Sequence, residues 1–256
     1  MDNKGTLNKA LEFLKLEKSV FGDFLILDRE ILSTKKPNDN DAFSKKNESP
    51  IIFPEIQSQD LFTTDKDWQN SSTIDDLNEK IHNCQNCSLG FTRTKFVFGS
   101  GNSNADIMII GEAPGADEDQ QGLPFVGRAG QLLTKILESI GLSREEVYIG
   151  NIIKCRPPNN RQPLPAEVQE CEPYLMKQIE LIKPAFIIIL GLTAADTLLK
   201  KKHKMADTRG MIQDYHGIKL MITYHPAALL RNPDLKRVVW EDMKLLRRLY
   251  DEYLGK

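Results

Sequence analysis

No run of 18 apolar residues occurs in this 256-residue chain, which excludes a helix that crosses a bilayer. The first residues, Met1-Asp2-Asn3-Lys4, lack the basic start and apolar run of a secretory signal. A cytoplasmic protein without a membrane partner is expected. An excess of one charge is also missing: 34 Lys and Arg stand against 36 Asp and Glu, a net charge of −2. Strongly basic nucleic-acid binders do not look like this, although a local patch is all that touches phosphate. The small acidic excess belongs to the first 70 residues. Cysteines are few, only four, and a reducing compartment keeps them from pairing as disulfides. What is present is a 40% apolar share, enough for one cored domain with an appendage.

Residues 6–28 have helical periodicity, with Leu7, Leu11, Leu14, Phe21 and Phe24 able to share a face. Residues 1–32 read as a helical extension, to be packed on the main body or held out to a partner. Residues 33–73, rich in Ser, Asn, Asp, Lys and Pro, read as a flexible linker with at most a docked piece at Ile51-Ile52-Phe53. The main domain is expected over 74–256. There, apolar runs predict strands at 106–110, 147–153, 185–190 and 217–224. Helices are expected at 130–140, at 165–182 with a kink at Pro173, from Thr193 to Leu199 under a Thr193 cap, and at 234–254 under an Asp234 cap. Strands alternating with helices predict an α/β fold: three αβα layers around a central four-stranded, mostly parallel sheet, plus the N-terminal helical or disordered extension. In such folds ligands sit beyond the carboxyl ends of the strands.

Cys84-x2-Cys87, Cys155 and Cys171 form two local pairs, the second placed by the end of the second strand and the helix after it. All four cysteines are used by one four-thiolate site, and spacing alone leaves zinc and a [4Fe–4S] cluster open. The segment from Gly111 to Gly127 holds four glycines, four acids and Phe125 in seventeen residues. A structural turn seldom needs that composition, and glycines let backbone approach a ligand. It is neither a Walker loop nor a dinucleotide fingerprint. Asn151 is unusual in a strand; alone, its amide reads equally as a satisfied polar group or as a reader of a base edge. His225 ends the fourth strand, where active-site residues gather, although a lone histidine is more often structural. The Leu229-Leu230-Arg231 tip has the character of a wedge that opens a base stack.

Together, Cys-x2-Cys, the Gly-Glu-Ala-Pro-Gly-x2-Glu-Asp-x2-Gly-x-Pro-Phe-Val-Gly-x-Ala-Gly segment, Cys-x15-Cys and His-Pro-Ala-x-Leu-Leu-Arg-Asn-Pro resemble family 4 uracil-DNA glycosylases. The resemblance covers Ile74 to the C-terminus. It implies an enzyme that flips uracil out of DNA and hydrolyses its N-glycosidic bond. It also implies a structural [4Fe–4S] cluster on Cys84, Cys87, Cys155 and Cys171. Carried over residue by residue, Phe125 stacks on the base, Asn151 reads its polar edge, and His225 stabilises charge developing on a uracil oxygen. Ala113 lines the pocket. Glu112 lines it with Ala113, and Glu118 and Asn160 help position water or sugar, with Glu112 and Glu118 both open as the base. Leu229, Leu230 and Arg231 form the DNA wedge. A relative that bonds covalently to DNA uses a histidine after the second strand; the segment 156–163 has none, which favours turnover. The implied protein is a monomer acting on uracil-containing DNA, with a replication or repair protein as a candidate partner of the N-terminal helix. The competing readings are an inactive DNA-binding iron–sulfur protein of the same fold and an electron carrier.

Overall fold

A computed structural model describes residues 11–12, 14–16, 18–20 and 67–256. Short apolar segments supply the centre of the sheet: β1 (Ser100–Gly101), β2 (Ile107–Gly111), β3 (Tyr148–Asn151), β4 (Phe186–Leu190), β5 (Ile212–Tyr215) and β6 (Ile218–Thr223), in the order β1-β3-β2-β4-β6-β5. The four strands expected from the sequence are the central, mutually parallel ones. The sheet has six strands rather than four, because two short edge strands add antiparallel pairings, β1 on β3 and β5 on β6. Edge strands escape notice for a physical reason: β1 is two residues long and β5 is half-exposed, so neither carries an apolar run.

The helices are α1 (Ile74–Ile81), α2 (Leu89–Thr92), α3 (Ala116–Gln121), α4 (Arg128–Ser139), α5 (Pro165–Ile182), α6 (Leu192–Leu198), α7 (Met205–Thr208), α8 (Pro226–Arg231) and α9 (Leu235–Tyr253). Side chains alternate across each parallel strand, so each strand feeds two cores. Met108, Ile110, Ile187, Ile189, Leu220 and Ile222 face one way, toward α1, α5 and α6. Ile107, Ile109, Ile149, Ile188, Leu190 and Met221 face the other, toward α4, α8 and α9. This is the expected three-layer arrangement. Among the described residues no helix is long and apolar enough to cross a membrane.

Several local expectations change. Thr193 does not cap α6; Gly191 holds that position, and Asp196 instead accepts the His203 N–H at 2.8 Å. The Asp234 side chain caps nothing, and its own N–H donates to Asn232 Oδ1 at 3.2 Å. Helix α5 runs unbroken through Pro173, held by buried Cys171, Tyr174 and Leu175 around it. Strand β3 stops at Asn151, and a bend carries the chain on to Cys155. Residues 67–73, expected within the linker, are packed: Trp68 meets the Tyr174 ring edge-on at 4.8 Å and Ser71 is buried. The described part of 11–20 is helical, with Val20 and Leu16 in the second core and Leu11 and Leu14 exposed. Leu7, Phe21, Phe24 and the 51–53 piece lie outside the described residues.

A polar bolt secures the end of β6. Buried Asp242 on α9 accepts from Thr223 Oγ1 at 2.6 Å and from Arg209 on the segment before β5. Removing one partner of such a pair leaves a buried charge uncompensated. Arg209→Ala is therefore expected to cost about 3 kcal/mol, read as a lower urea midpoint; an unchanged midpoint would contradict the assignment.

Candidate active site and thiol group

The carboxyl ends of β2, β3 and β6 bring together Gly111, Asn151 and, two residues past β6, His225. Gly111 has no side chain because there is no room for one. A Cβ there would stand 2.5 Å from Asn151 Oδ1 and 2.6 Å from Phe125 Cζ. The amide and the aromatic ring therefore converge over bare backbone. Asn151 is buried, and its Oδ1 has no hydrogen-bond partner. A buried acceptor left unmet is costly, so such an atom marks a place where a ligand N–H belongs. The Phe125 ring lies 5.5 Å from that of His225 with 32° between their planes.

Phe125 occupies the left-handed region at φ 53°, unusual for a bulky side chain. Its neighbours hold it there. Arg144 donates to the Phe125 carbonyl at 2.9 Å and to the Pro124 carbonyl at 2.8 Å. Gly130, in the first turn of α4, admits the Phe125 backbone where any Cβ would overlap it. Glu118 braces the same loop: Oε1 accepts the N–H groups of Val126 and Gly127, each at 2.9 Å, and Oε2 that of Gly115 at 3.1 Å. A carboxylate committed to three backbone donors is an organiser of the loop. Glu112, at the end of β2, is the freer carboxyl; burial raises its pKa, opposed by a hydrogen bond from Thr193.

His225 caps α8 by accepting the Ala227 N–H on Nδ1 at 3.1 Å. That bond leaves the proton of the neutral ring on Nε2, as a donor. Burial first, then the Arg231 charge, push its pKa down to about 4, against a smaller opposing pull from Glu118. The side chain is thus a neutral hydrogen-bond donor at ordinary pH.

The structure separates the remaining candidates. Ala113 is partly buried against the first core. Asn160 sits on an exposed turn after β3 with its Oδ1 taken by Arg156 at 2.7 Å. That turn is anchored by the two-pronged Arg161 grip on buried Glu167, at 2.6 and 2.9 Å. Leu229 has no exposed surface and belongs to the second core, because α8 must bury one face against α4 and α9. It cannot serve as a wedge, and the exposed tip reduces to Leu230 and Arg231. Arg144 and Lys154 also hold the site's backbone, through the carbonyls of Phe125, Pro124 and Asn151. Charged residues in polar or apolar surroundings carry no motif, and only their carbonyl partners reveal them.

Cys84 and Cys87 follow α1, Cys155 follows β3, and Cys171 lies on α5. Burial pushes the Cys171 thiol up to about 12 and the Cys155 thiol up to about 11, so neither is a ready nucleophile. Yet three of the sulfurs receive donors: Arg93 Nη1 to Cys155 and the Lys154 N–H to Cys171, each at 3.2 Å, and the Tyr174 hydroxyl to Cys84 at 3.3 Å. Donors aimed at sulfur suit thiolates. Among the described residues, no three His, Cys, Asp or Glu side chains lie close enough to hold one metal ion.

A family model described as "Uracil DNA glycosylase superfamily" matches residues 98–244. The type-4 uracil-DNA glycosylase of Saccharolobus solfataricus is 45% identical over 68% of this chain and 85% of its own length. That of Archaeoglobus fulgidus is 43% identical over 69% and 93%, and that of Thermotoga maritima 46% over 66% and 90%. The chain belongs to this superfamily, with the type-4 enzymes. The matched region runs from β1 into α9, and with it Asn151, Phe125 and His225.

The Arg144 contacts generate a test. Hydrogen bonds to a charged group contribute about 1.5–3 kcal/mol each in favourable settings. Arg144→Ala is expected to lower stability by about 2 kcal/mol and to hasten proteolytic cleavage within 115–127. Unaltered cleavage would mean the loop holds Phe125 without it.

Proposed function

We propose that this uracil-DNA glycosylase superfamily member hydrolyses the N-glycosidic bond of deoxyuridine in DNA, releasing uracil and leaving an abasic site. The observation that carries the reading is the buried, unpartnered Asn151 Oδ1 beside the Phe125 ring. Uracil presents an N3–H donor next to its O4 acceptor, and Oδ1 takes that donor. Cytosine has an acceptor at N3, which would leave two acceptors facing each other, so the same atom rejects the normal base. The flipped ring stacks on Phe125. As the C1′–N1 bond breaks, electrons pass into the pyrimidine, and His225 Nε2–H donates to the oxygen where negative charge collects. A neutral donor gives up no proton it must first acquire. Water adds to C1′, with Glu112 the carboxyl left to orient it while Glu118 fixes the loop. Asn160, on the turn after β3, helps position the sugar or the water. Leu230 and Arg231 fill the gap left by the flipped nucleotide.

The four cysteines hold a [4Fe–4S] cluster on this reading. What supports the reading is that Cys155, Cys171 and Cys84 each receive a hydrogen-bond donor on sulfur, from Arg93, the Lys154 N–H and the Tyr174 hydroxyl. When bound, the cluster supplies a structural cross-link between the segment after α1, the segment after β3 and α5, and bond breaking stays with the pocket. The protein works as a cytoplasmic monomer. Its N-terminal helix, with Leu11 and Leu14 exposed, serves a replication or repair partner.

The activity is tested by incubating the protein with a uracil-containing oligonucleotide and cleaving abasic sites with alkali; no cleavage would sink the proposal. His225→Ala or Asn151→Ala is expected to slow release by about 10²–10³-fold with the fold intact. With its pKa pushed down to about 4, His225 should contribute no acid limb at 6.5, and a fall in rate at lower pH is expected from Glu112, whose carboxyl pKa burial raises above its ordinary value. An acid limb at 6.5 would contradict that role. Purified holoprotein is expected to be brown with about four irons per chain; a colourless zinc protein would remove the cluster.

A further inference from the structure

Between α5 and α6 runs an open groove of about 800 Å³. Pro163, Pro165, Val168, Pro173 and Leu192 line it with apolar surface, and the consecutive Lys200, Lys201 and Lys202 line it with charge. Two carboxylates also border it, Glu172 and Asp196, and both are already answered. Lys200 pairs with Glu172, while Asp196 meets Lys202 at 3.2 Å and the His203 ring at 3.0 Å. Among the described residues Lys201 pairs with no carboxylate. The Lys202 side chain is 94% exposed, so its ion pair is weak and its ammonium is open to a stronger anion. Three lysines against two carboxylates leave the groove a positive surplus.

One end of this groove reaches the candidate active site. Thr193 lines it, hydrogen-bonds Glu112 just past β2, and accepts from Gln162 Nε2 at 3.3 Å. The lysines follow the other end of α6, whose seven residues span about 10 Å. A nucleic-acid strand carries one phosphate per about 3.4 Å of duplex axis, so that span is about three nucleotides. A strand whose base enters the pocket must leave along the rim, and here the rim continues into a channel of matching charge. Proline and leucine surfaces suit sugar and base faces, and lysines suit phosphates.

We propose that the groove between α5 and α6 holds the backbone of the uracil-bearing DNA strand beside the flipped nucleotide, with Lys201 and Lys202 on its phosphates. This rests on the uracil-DNA reading above and adds to it a contact away from the reacting bond. Such a contact sets affinity and orientation of the DNA and leaves base choice to the pocket.

The test measures binding of the full chain to a labelled duplex carrying 2′-fluoro-deoxyuridine, which resists bond breaking, by fluorescence anisotropy over a range of salt. Each phosphate contact adds about 0.9 to the slope of log Kd against log salt. Lys201→Gln should lower that slope by about 0.9 and raise Kd roughly fivefold at 0.15 M salt. Lys201→Arg should restore both. Lys183→Asn removes an exposed lysine at the opposite end of α5 and should change neither. An unmoved slope in Lys201→Gln would overturn the proposal and hand the groove to an acidic protein segment instead. An equal fall in Lys183→Asn would overturn it too, because diffuse charge would then account for the effect. Uracil release is assayed separately on the unmodified duplex. Its absence beside an intact slope change would remove the glycosidase reading and leave the groove as a DNA contact.

Discussion

The site depends on the missing side chain at Gly111. Parallel strands set 4.7–4.9 Å apart, about the usual spacing, bring neighbouring residues at their carboxyl ends within reach of one another. Only where one of them lacks a Cβ do two large groups from elsewhere meet above it. Gly111 pairs in register with Asn151 on β3, so the amide arrives from the adjacent strand and the Phe125 ring from the loop after β2. Everything else in the loop serves that meeting. Glu118 collects three backbone N–H groups, Arg144 holds two carbonyls, and Gly130 admits the chain. The left-handed backbone of Phe125 is tolerated because all of these constrain it from different sides.

The same strand end governs the thiol side. β3 stops at Asn151, and within four residues the chain has passed Lys154 and reached Cys155. Two features thus share one short bend: the unpartnered Asn151 amide oxygen on one side and a sulfur-bearing segment on the other. The bend is buried throughout, from Asn151 to Cys155. A buried stretch of irregular backbone must satisfy its polar groups locally. Here the Val97 N–H reaches the Lys154 carbonyl, the Ile152 N–H reaches the Gly111 carbonyl, and Lys154 Nζ reaches the Asn151 carbonyl. Rigid support for the amide therefore follows from the need to bury the bend.

Much of this was legible in the sequence. The four central strands announce themselves as apolar runs because both faces of a parallel sheet are covered. The glycine- and acid-rich loop, the cysteine spacing and His225 stand out because folding alone would seldom place those residue types at those chain positions. The misreadings have one cause in common. Leu229 and Leu230 are indistinguishable as letters, yet the turn of α8 buries the first and exposes the second. Glu112 and Glu118 are likewise both acids in one loop, and only the count of backbone donors separates a brace from a freer carboxyl. The Thr193 cap fails because the cap position of α6 stands two residues earlier at Gly191, whereas Asp234 holds the expected position before α9 without a side-chain bond, differences that composition does not record.

The electrostatic character of the pocket follows from its being built as acceptor and neutral donor. A protonated imidazole would attract an anionic leaving group more strongly, but it would also attract the phosphates and any anion at rest. The Ala227 N–H on Nδ1 settles the choice structurally, since a ring accepting a backbone proton there cannot carry one of its own. Arg231, close by in the chain, then reinforces neutrality by its own charge. With Asn151 Oδ1 unmet until a base enters, the site holds its polarity in reserve. In the proposed reaction the His225 interaction would strengthen as electrons leave C1′ and the pyrimidine oxygen becomes a better acceptor, and an interaction that grows along the reaction coordinate accelerates the step rather than tightening ground-state binding.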